Sequence, residues 1–216
     1  MSDLEPVDTR LRLILITDGV GDPGRIEEIV HAAVLGGVRC VQIRESKWTA
    51  RQMLRTCERL RPLLDQFNGL LLVNDRIDVA ATGAAHGAQI GHRSLPPELA
   101  RDVLGDETVL GYSAHDEEEL ANAAQWHCNF ALLSPVWQTT SKPKAAFLTV
   151  ARAALLTEAA TLPVVWLGGV NLDKFAEIAD VPPAQRPCGV AVRSAIMQAD
   201  DPQQASADLL QAWPKS

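Results

Sequence analysis

The chain has 216 residues, 47% of them hydrophobic and 22% charged, with a formal net charge of −7. That length can bury a sizeable core in one domain over residues 1–216, and the acidic balance disfavours nucleic acid as a bulk partner, because phosphate-backbone affinity needs a basic face. No stretch approaches about 18 consecutive apolar residues, and Met1 to Thr9 lacks the character of a signal peptide, so a cytoplasmic protein with no membrane partner is expected.

The first apolar run, Leu11–Ile16, is continuous rather than alternating, as in a parallel strand buried on both faces, and it ends at Thr17-Asp18. Ile26, Ile29, Val30, Ala33 and Val34 then recur at helical spacing, and Gly36-Gly37 supplies the stop. Val38–Ile43 ends at Arg44 to Lys47, and Thr49 is placed to cap a helix over Ala50 to Leu64. Leu70–Val73 ends at Asn74-Asp75. Gly87–Ile90 ends at His92 to Ser94, and Pro97 suits the first turn of a helix through Val103. Val109–Tyr112 ends at Ser113 to His115. Asp116 with Glu117, Glu118 and Glu119 then places negative charge where a helix dipole favours it. Phe130–Leu133 runs into a polar segment, Ser134 to Lys142, with a helix expected over Ala145 to Ala159. Val164–Leu167 ends at Gly168-Gly169, a proline-rich surface loop is expected over 181–188, and Gly189–Val192 ends at Arg193-Ser194. Gln203 to Trp213 completes the set.

Eight strand–helix alternations without a long linker predict an α/β fold, a single (β/α)8 TIM barrel. An open doubly wound sheet is the alternative; Gly19, Gly21 and Gly24 stand at the GxGxxG spacing that often marks it, a weak signal by itself against eight strand–helix alternations. In a barrel all eight strand ends meet on one face and form one pocket.

The seventh and eighth ends suit phosphate. Gly168 and Gly169 let backbone N–H groups approach an oxyanion, and Arg193 and Ser194 open a short helix; a tight strand-to-helix turn is the less favoured alternative for the glycines. At the sixth end Thr139, Ser141 and Lys142 suit a second anionic group, or form a solvated loop. The four cysteines, Cys40, Cys57, Cys128 and Cys188, form no CxxC pair and are expected as free thiols. His31 and His127 fall in predicted helices.

Several strand-end motifs together resemble the thiamin phosphate synthase/TenI family. Gln42-Ile43-Arg44 resembles its QxR, Asn74-Asp75-Arg76-Ile77-Asp78 its NDRxD, and Gly111-Tyr112-Ser113-Ala114-His115 its GxSxH. Ser134-Pro135-Val136-Trp137 running to Ser141-Lys142-Pro143 is similar to its GPVFPTxTKP loop. Leu167-Gly168-Gly169-Val170 and Gly189 to Ile196 are similar to its IGGI and GVAVxSAI segments. The matches are collinear across residues 11–196.

The resemblance implies one of two reactions on a small phosphorylated thiazole. A synthase joins a pyrimidine pyrophosphate to the thiazole phosphate with Mg; a TenI-type tautomerase shifts protons on a carboxythiazole phosphate and needs no cofactor. It also implies substrate or pyrophosphate contacts from Gln42, Arg44, Lys47, Asn74, Ser113, Thr139, Ser141 and Lys142, and a possible homodimer. Asp75 would be a metal ligand in a synthase. The second aspartate of the synthase pattern is replaced here by Ser94, with Arg93 beside it, and the pyrophosphate lysine is displaced from Ser46 to Lys47. A hydroxyl is a poor substitute for a carboxylate on a hard dication. His86 and Gln89 also depart toward the TenI pattern. These departures make the tautomerase, with His115 as proton carrier, the leading expectation, the synthase its alternative and a non-catalytic binding barrel a third. His92 occupies the family's Gln position, from which it could face the pocket, and Trp48 and Trp137 are expected either to stack on a ring or to pack.

Overall fold

The computed structural model describes residues 7–139 and 146–214. Eight parallel strands close into a barrel in chain order: β1 Leu13–Ile16, β2 Cys40–Ile43, β3 Leu70–Asn74, β4 Gly87–Ile90, β5 Val109–Ala114, β6 Phe130–Leu133, β7 Val164–Leu167 and β8 Gly189–Val192. The helices are α1 Val7–Arg10, α2 Pro23–Leu35, α3 Ala50–Gln66, α4 Ile77–Ala80, α5 Pro97–Leu104, α6 Glu117–Gln125, α7 Val150–Ala159, α8 Lys174–Ala179, α9 Ser194–Met197 and α10 Pro202–Gln211. The predicted (β/α)8 barrel is the architecture found, and the open sheet is excluded by pairing of β1 with both β2 and β8. Among the described residues no helix is long and apolar enough to cross a membrane.

Alternation along each strand makes two cores. Ile14, Cys40, Leu70, Leu72, Phe130, Leu132 and Val165 form the cluster inside the barrel. Their neighbours Leu13, Leu15, Val41, Leu71, Val73 and Trp166 join the layer between strands and helices. Strands such as β1, β3 and β6 are therefore apolar on both faces, which is why the sequence shows continuous runs there. Phe130 is completely buried and fills the interior beside Gly111. A Cβ on Gly111 would lie 2.1 Å from Gln89 Oε1 and 2.4 Å from the Phe130 ring.

The local signals act largely as expected. Asp22, Thr49, Asp116 and Asp201 each accept N-cap hydrogen bonds, and Thr49 with Gln52 forms a complete capping box. Some boundaries differ. Gly37 takes φ 105°, its N–H bonds Val34 C=O, and Val38 N–H bonds Ala33 C=O at 3.0 Å. This Schellman closure uses the Val38 donor, so β2 starts at Cys40 rather than Val38. Leu11 and Arg12 form a turn before β1. Leu148 N–H bonds Pro135 C=O at 2.9 Å and Thr149 has φ 69°, so α7 starts at Val150. His127 lies beyond α6, at φ 55°, and its carbonyl accepts from Arg101 at 2.8 Å. The segment 181–188 contains a 3-10 turn, Pro183–Gln185.

The cysteines of the described structure are free thiols. Burial pushes Cys40 and Cys57 up to about 12 and Cys128 to about 11, so none is a thiolate at neutral pH.

His86 has a structural role. Its Nδ1 accepts from Leu71 N–H at 2.9 Å, and Nε2 lies 2.7 Å from Asp65 Oδ1. Burial, aided by Arg61, pulls its pKa below 6.5 against the pull of Asp65. The unfolded chain therefore binds the proton more readily, and this contribution is full above about pH 6.5 and is lost as pH falls through the folded value. The thermal midpoint should fall between pH 7.5 and 5.5, with a shallower fall in His86→Gln; equal slopes would refute the assignment. Gly111→Ala should cost about 1–3 kcal/mol by overpacking, measurable by urea unfolding.

Candidate active site

The parity that fills the barrel with Ile14, Leu72 and Phe130 also turns Gln42, Asn74, Ser113 and Arg193 toward the axis, at or just beyond the C-terminal ends of their strands. There they border a cavity of about 280 Å³. Its apolar floor includes Ile16, Leu132 and Leu167, and Ile90 adds to the wall. Arg44, Arg93 and Arg193 supply positive charge, and His92 and His115 also line it. Asp75 is the one carboxylate among its described lining residues. A locally positive pocket thus exists in an acidic chain.

One hydrogen-bond chain organises the wall. Gln42 Nε2 donates to Asn74 Oδ1 at 2.8 Å, and Asn74 Nδ2 donates to Asp75 Oδ2 at 2.6 Å. Ser94 Oγ donates to Asp75 Oδ1 and accepts from Gly91 N–H at 2.8 Å. Both carboxylate oxygens are thereby engaged. Asp75 sits at φ 61°, a left-handed conformation that aspartate tolerates better than most residues, with its N–H bonded to Gln89 C=O at 3.0 Å. Gln42 is 2% exposed and its Oε1 has no partner. Gln89, 1% exposed, donates to Ser113 Oγ at 3.0 Å and so supports a pocket residue from below.

His115 Nδ1 contacts the Ser134 carbonyl. A carbonyl only accepts, so Nδ1 carries the proton and Nε2 of the neutral ring has a free lone pair. Its backbone N–H donates to Glu119 Oε2 at 2.7 Å, which fixes the strand end.

The β6 loop crosses the end of β7. Val136 N–H bonds Leu167 C=O at 3.0 Å and Trp137 N–H bonds Gly168 C=O at 3.2 Å. Gly168 and Gly169 have φ 98° and 73°, and a Cβ on either would meet Pro135 or Trp137 and Gln138. The glycines are thus required by turn geometry and close loop packing as well as being compatible with an anion.

Of the residues singled out in the sequence, Gln42, Arg44, Asn74, Asp75, Ser113, His115, Thr139, Gly168 and Arg193 line this one pocket, as does His92. Lys47, which is exposed, lies outside the lining set, as do Gly169 and Ser194. Ser141 and Lys142 lie outside the described residues. Trp48 and Trp137 pack instead of stacking in the cavity. The Trp48 indole donates to Gly21 C=O at 3.0 Å, and that of Trp137 donates to Glu177 Oε2 at 2.9 Å. The apolar floor was missed, although strand parity carries its signal: Ile16, Leu132 and Leu167 stand in phase with the interior residues of their strands.

The locally positive pocket lies at the C-terminal mouth of a (β/α)8 barrel, the face on which enzymes of this fold carry their active sites. The family model described as thiamine monophosphate synthase matches residues 13–196, and the chain belongs to this family, whose members serve thiamin biosynthesis. The chain is 36% identical over 206 residues to a protein named putative thiamine-phosphate synthase of Geobacter sulfurreducens, covering 94% of each. It is 32% identical to a thiamine-phosphate synthase of Vibrio campbellii, covering 92% of this chain and 96% of the relative. Among solved structures, a thiamine phosphate pyrophosphorylase from Pyrococcus furiosus superposes with TM-score 0.84 at 28% identity, covering 95% of this chain and 96% of that one.

Gln42→Leu would leave Asn74 Oδ1 without its donor and loosen Asp75. The variant should be less stable by about 1–3 kcal/mol in urea unfolding. Unchanged stability would mean that the hydrogen-bond chain does not bear on the fold.

Proposed function

We propose that the protein is a thiamin phosphate synthase, joining a pyrimidine pyrophosphate to a thiazole phosphate and releasing pyrophosphate. The observation that carries this reading is the pocket's composition: an apolar floor for planar rings beneath Arg44, Arg93 and Arg193 for two phosphorylated groups. The whole-length kinship with proteins named as synthases supports it over the tautomerase that the motif departures alone favour.

In this reaction the bond to pyrophosphate breaks as the rings are joined, and pyrophosphate leaves with the bonding electron pair. Negative charge grows on the leaving oxygen, and preorganised guanidinium groups stabilise it more than they stabilise the bound reactant. Gln42, Asn74 and Ser113 present fixed amide and hydroxyl groups to the rings. Neighbouring placement of both reactants over one floor supplies the entropic part of the acceleration.

The donor set does not fit a two-carboxylate magnesium site. Asp75 stands alone among the lining residues, both its oxygens accept hydrogen bonds, and the described residues contain no group of three or more His, Cys, Asp or Glu suited to a metal.

One observation favours a second reading, the TenI-type tautomerase: His115, with Nδ1–H held by Ser134, has the lone pair needed for proton transfer. A single purified sample should be given the pyrimidine and thiazole pair in one assay and the carboxythiazole phosphate in another. Product in the first supports the synthase; tautomer conversion alone replaces it with the second reading; turnover in neither leaves a binding barrel. Arg193→Ala should lower synthase kcat/KM at least about tenfold through loss of a charge-assisted contact. His115→Ala should abolish a tautomerase but only weaken a synthase.

A further inference from the structure

We propose that Arg93 and Ser94 replace a metal-ligating carboxylate with a fixed positive charge, so that the pocket holds a phosphoryl anion without a divalent cation. The proposal rests on the reading of this pocket as a phosphate site.

Three observations converge on it. The first is the state of Asp75. Ser94 Oγ takes a proton donor from Gly91 N–H and gives its own to Asp75, while Asn74 donates to the other oxygen. The loop itself holds Ser94 in this role, since Ser94 N–H returns to Gly91 C=O at 2.8 Å. A dication entering here would have to displace donors that are already organised around the carboxylate, and would gain one anionic ligand. Hard cations of this kind bind through several oxygens, usually with more than one carboxylate.

The second is charge. The formal charges lining the cavity are three guanidinium groups against one carboxylate, before either histidine is counted. A dication meets net repulsion in such a field, and a phosphoryl or pyrophosphoryl group meets attraction.

The third is that the side chain of Arg93 is available. It adjoins Ser94 in sequence, lies exposed at the rim, and forms no ion pair among the described residues; the same holds for Arg44. A guanidinium presents a planar fork of donors that matches two phosphate oxygens, a geometry that a lysine does not supply. Arg44 and Arg93 follow β2 and β4, the two strands that flank β3, and thus provide the countercharge from either side of Asp75. The two substitutions in the β4 loop act as a unit: Ser94 occupies the carboxylate that a metal would need, and Arg93 supplies the charge that a metal would bring.

The test is calorimetric titration of the intact protein with inorganic pyrophosphate, in excess EDTA and in millimolar magnesium. Wild type should bind with affinities within about threefold in the two conditions. Arg93→Ala should weaken binding in EDTA by about tenfold or more, and Arg93→Lys should recover only part of it. Ser94→Asp should make binding magnesium-dependent, by about tenfold or more. Wild-type binding seen only with magnesium, binding in neither condition, or Arg93→Ala binding like wild type would each overturn the proposal. Because the titration needs no turnover, its outcome is separate from that of the synthase. Metal-free binding without product formation sinks the synthase alone, and product formation with binding that requires magnesium sinks the present proposal alone.

Discussion

The closure of β1 onto β8 is the constraint on which the pocket depends. Pairing of Leu13 with Val190 and Leu15 with Val192 fixes the phase of two strands that are distant in sequence. Each further ladder inherits that phase, and a slip of one residue would turn every inward side chain outward. Ile14 and Ala191 then face the interior, and two residues later along the same strands Ile16 and Arg193 reach the cavity. The same alternation lifts Gln42 above Cys40 and Asn74 above Leu72. The interior packing and the positioning of the polar groups are thus one arrangement. Gly111 shows how closely they are coupled, since Phe130 and Gln89 both use the space its missing side chain leaves. The ring contributes to stability while the amide supports Ser113 at the pocket.

Much of this could be read before any coordinates. Runs such as Leu70–Val73 signal strands buried on both faces because helices cover one side and packed side chains fill the other. The caps at Thr49 and Asp116 act locally, within a few residues, so their signal survives in sequence alone. Boundaries were harder to read where a long-range partner decides them. Nothing near Leu148 announces that its N–H bonds Pro135, and Val38 is as apolar as the strand it fails to join. The site divides in the same way. Residues at strand ends were found because the fold brings all such ends together. The choice between stacking and packing for the tryptophans stayed open in the sequence because their indole partners, Gly21 and Glu177, lie about 30 or 40 residues away.

The motif departures and the kinship pull in different directions, and the structure gives a physical reason why. Overall identity is a property of the whole chain, whereas the metal question turns on Ser94 and Arg93. Those two can change without moving a strand, since the β4 loop is held by its own Gly91–Ser94 bonds. A family fold can therefore be retained while the means of neutralising an anion changes.

On the proposal above, the exchange of a carboxylate for a serine flanked by an arginine has a consequence for the chemistry. A dication concentrates charge and polarises an oxygen directly; guanidinium groups distribute charge and bind through oriented donors. For a leaving group that departs with its electron pair, the useful interaction is one that strengthens as charge develops. Fixed arginines can supply that only if their orientation is set before the reaction. Arg44 and Arg193 follow directly from β2 and β8, whose register is set by the closed barrel, while Arg93 is carried by a loop anchored through Ser94 and Asp75. Asp75 then contributes as an orienting acceptor rather than as a ligand. It holds the loop that carries the arginine, and the left-handed backbone at that position is the local cost of the arrangement.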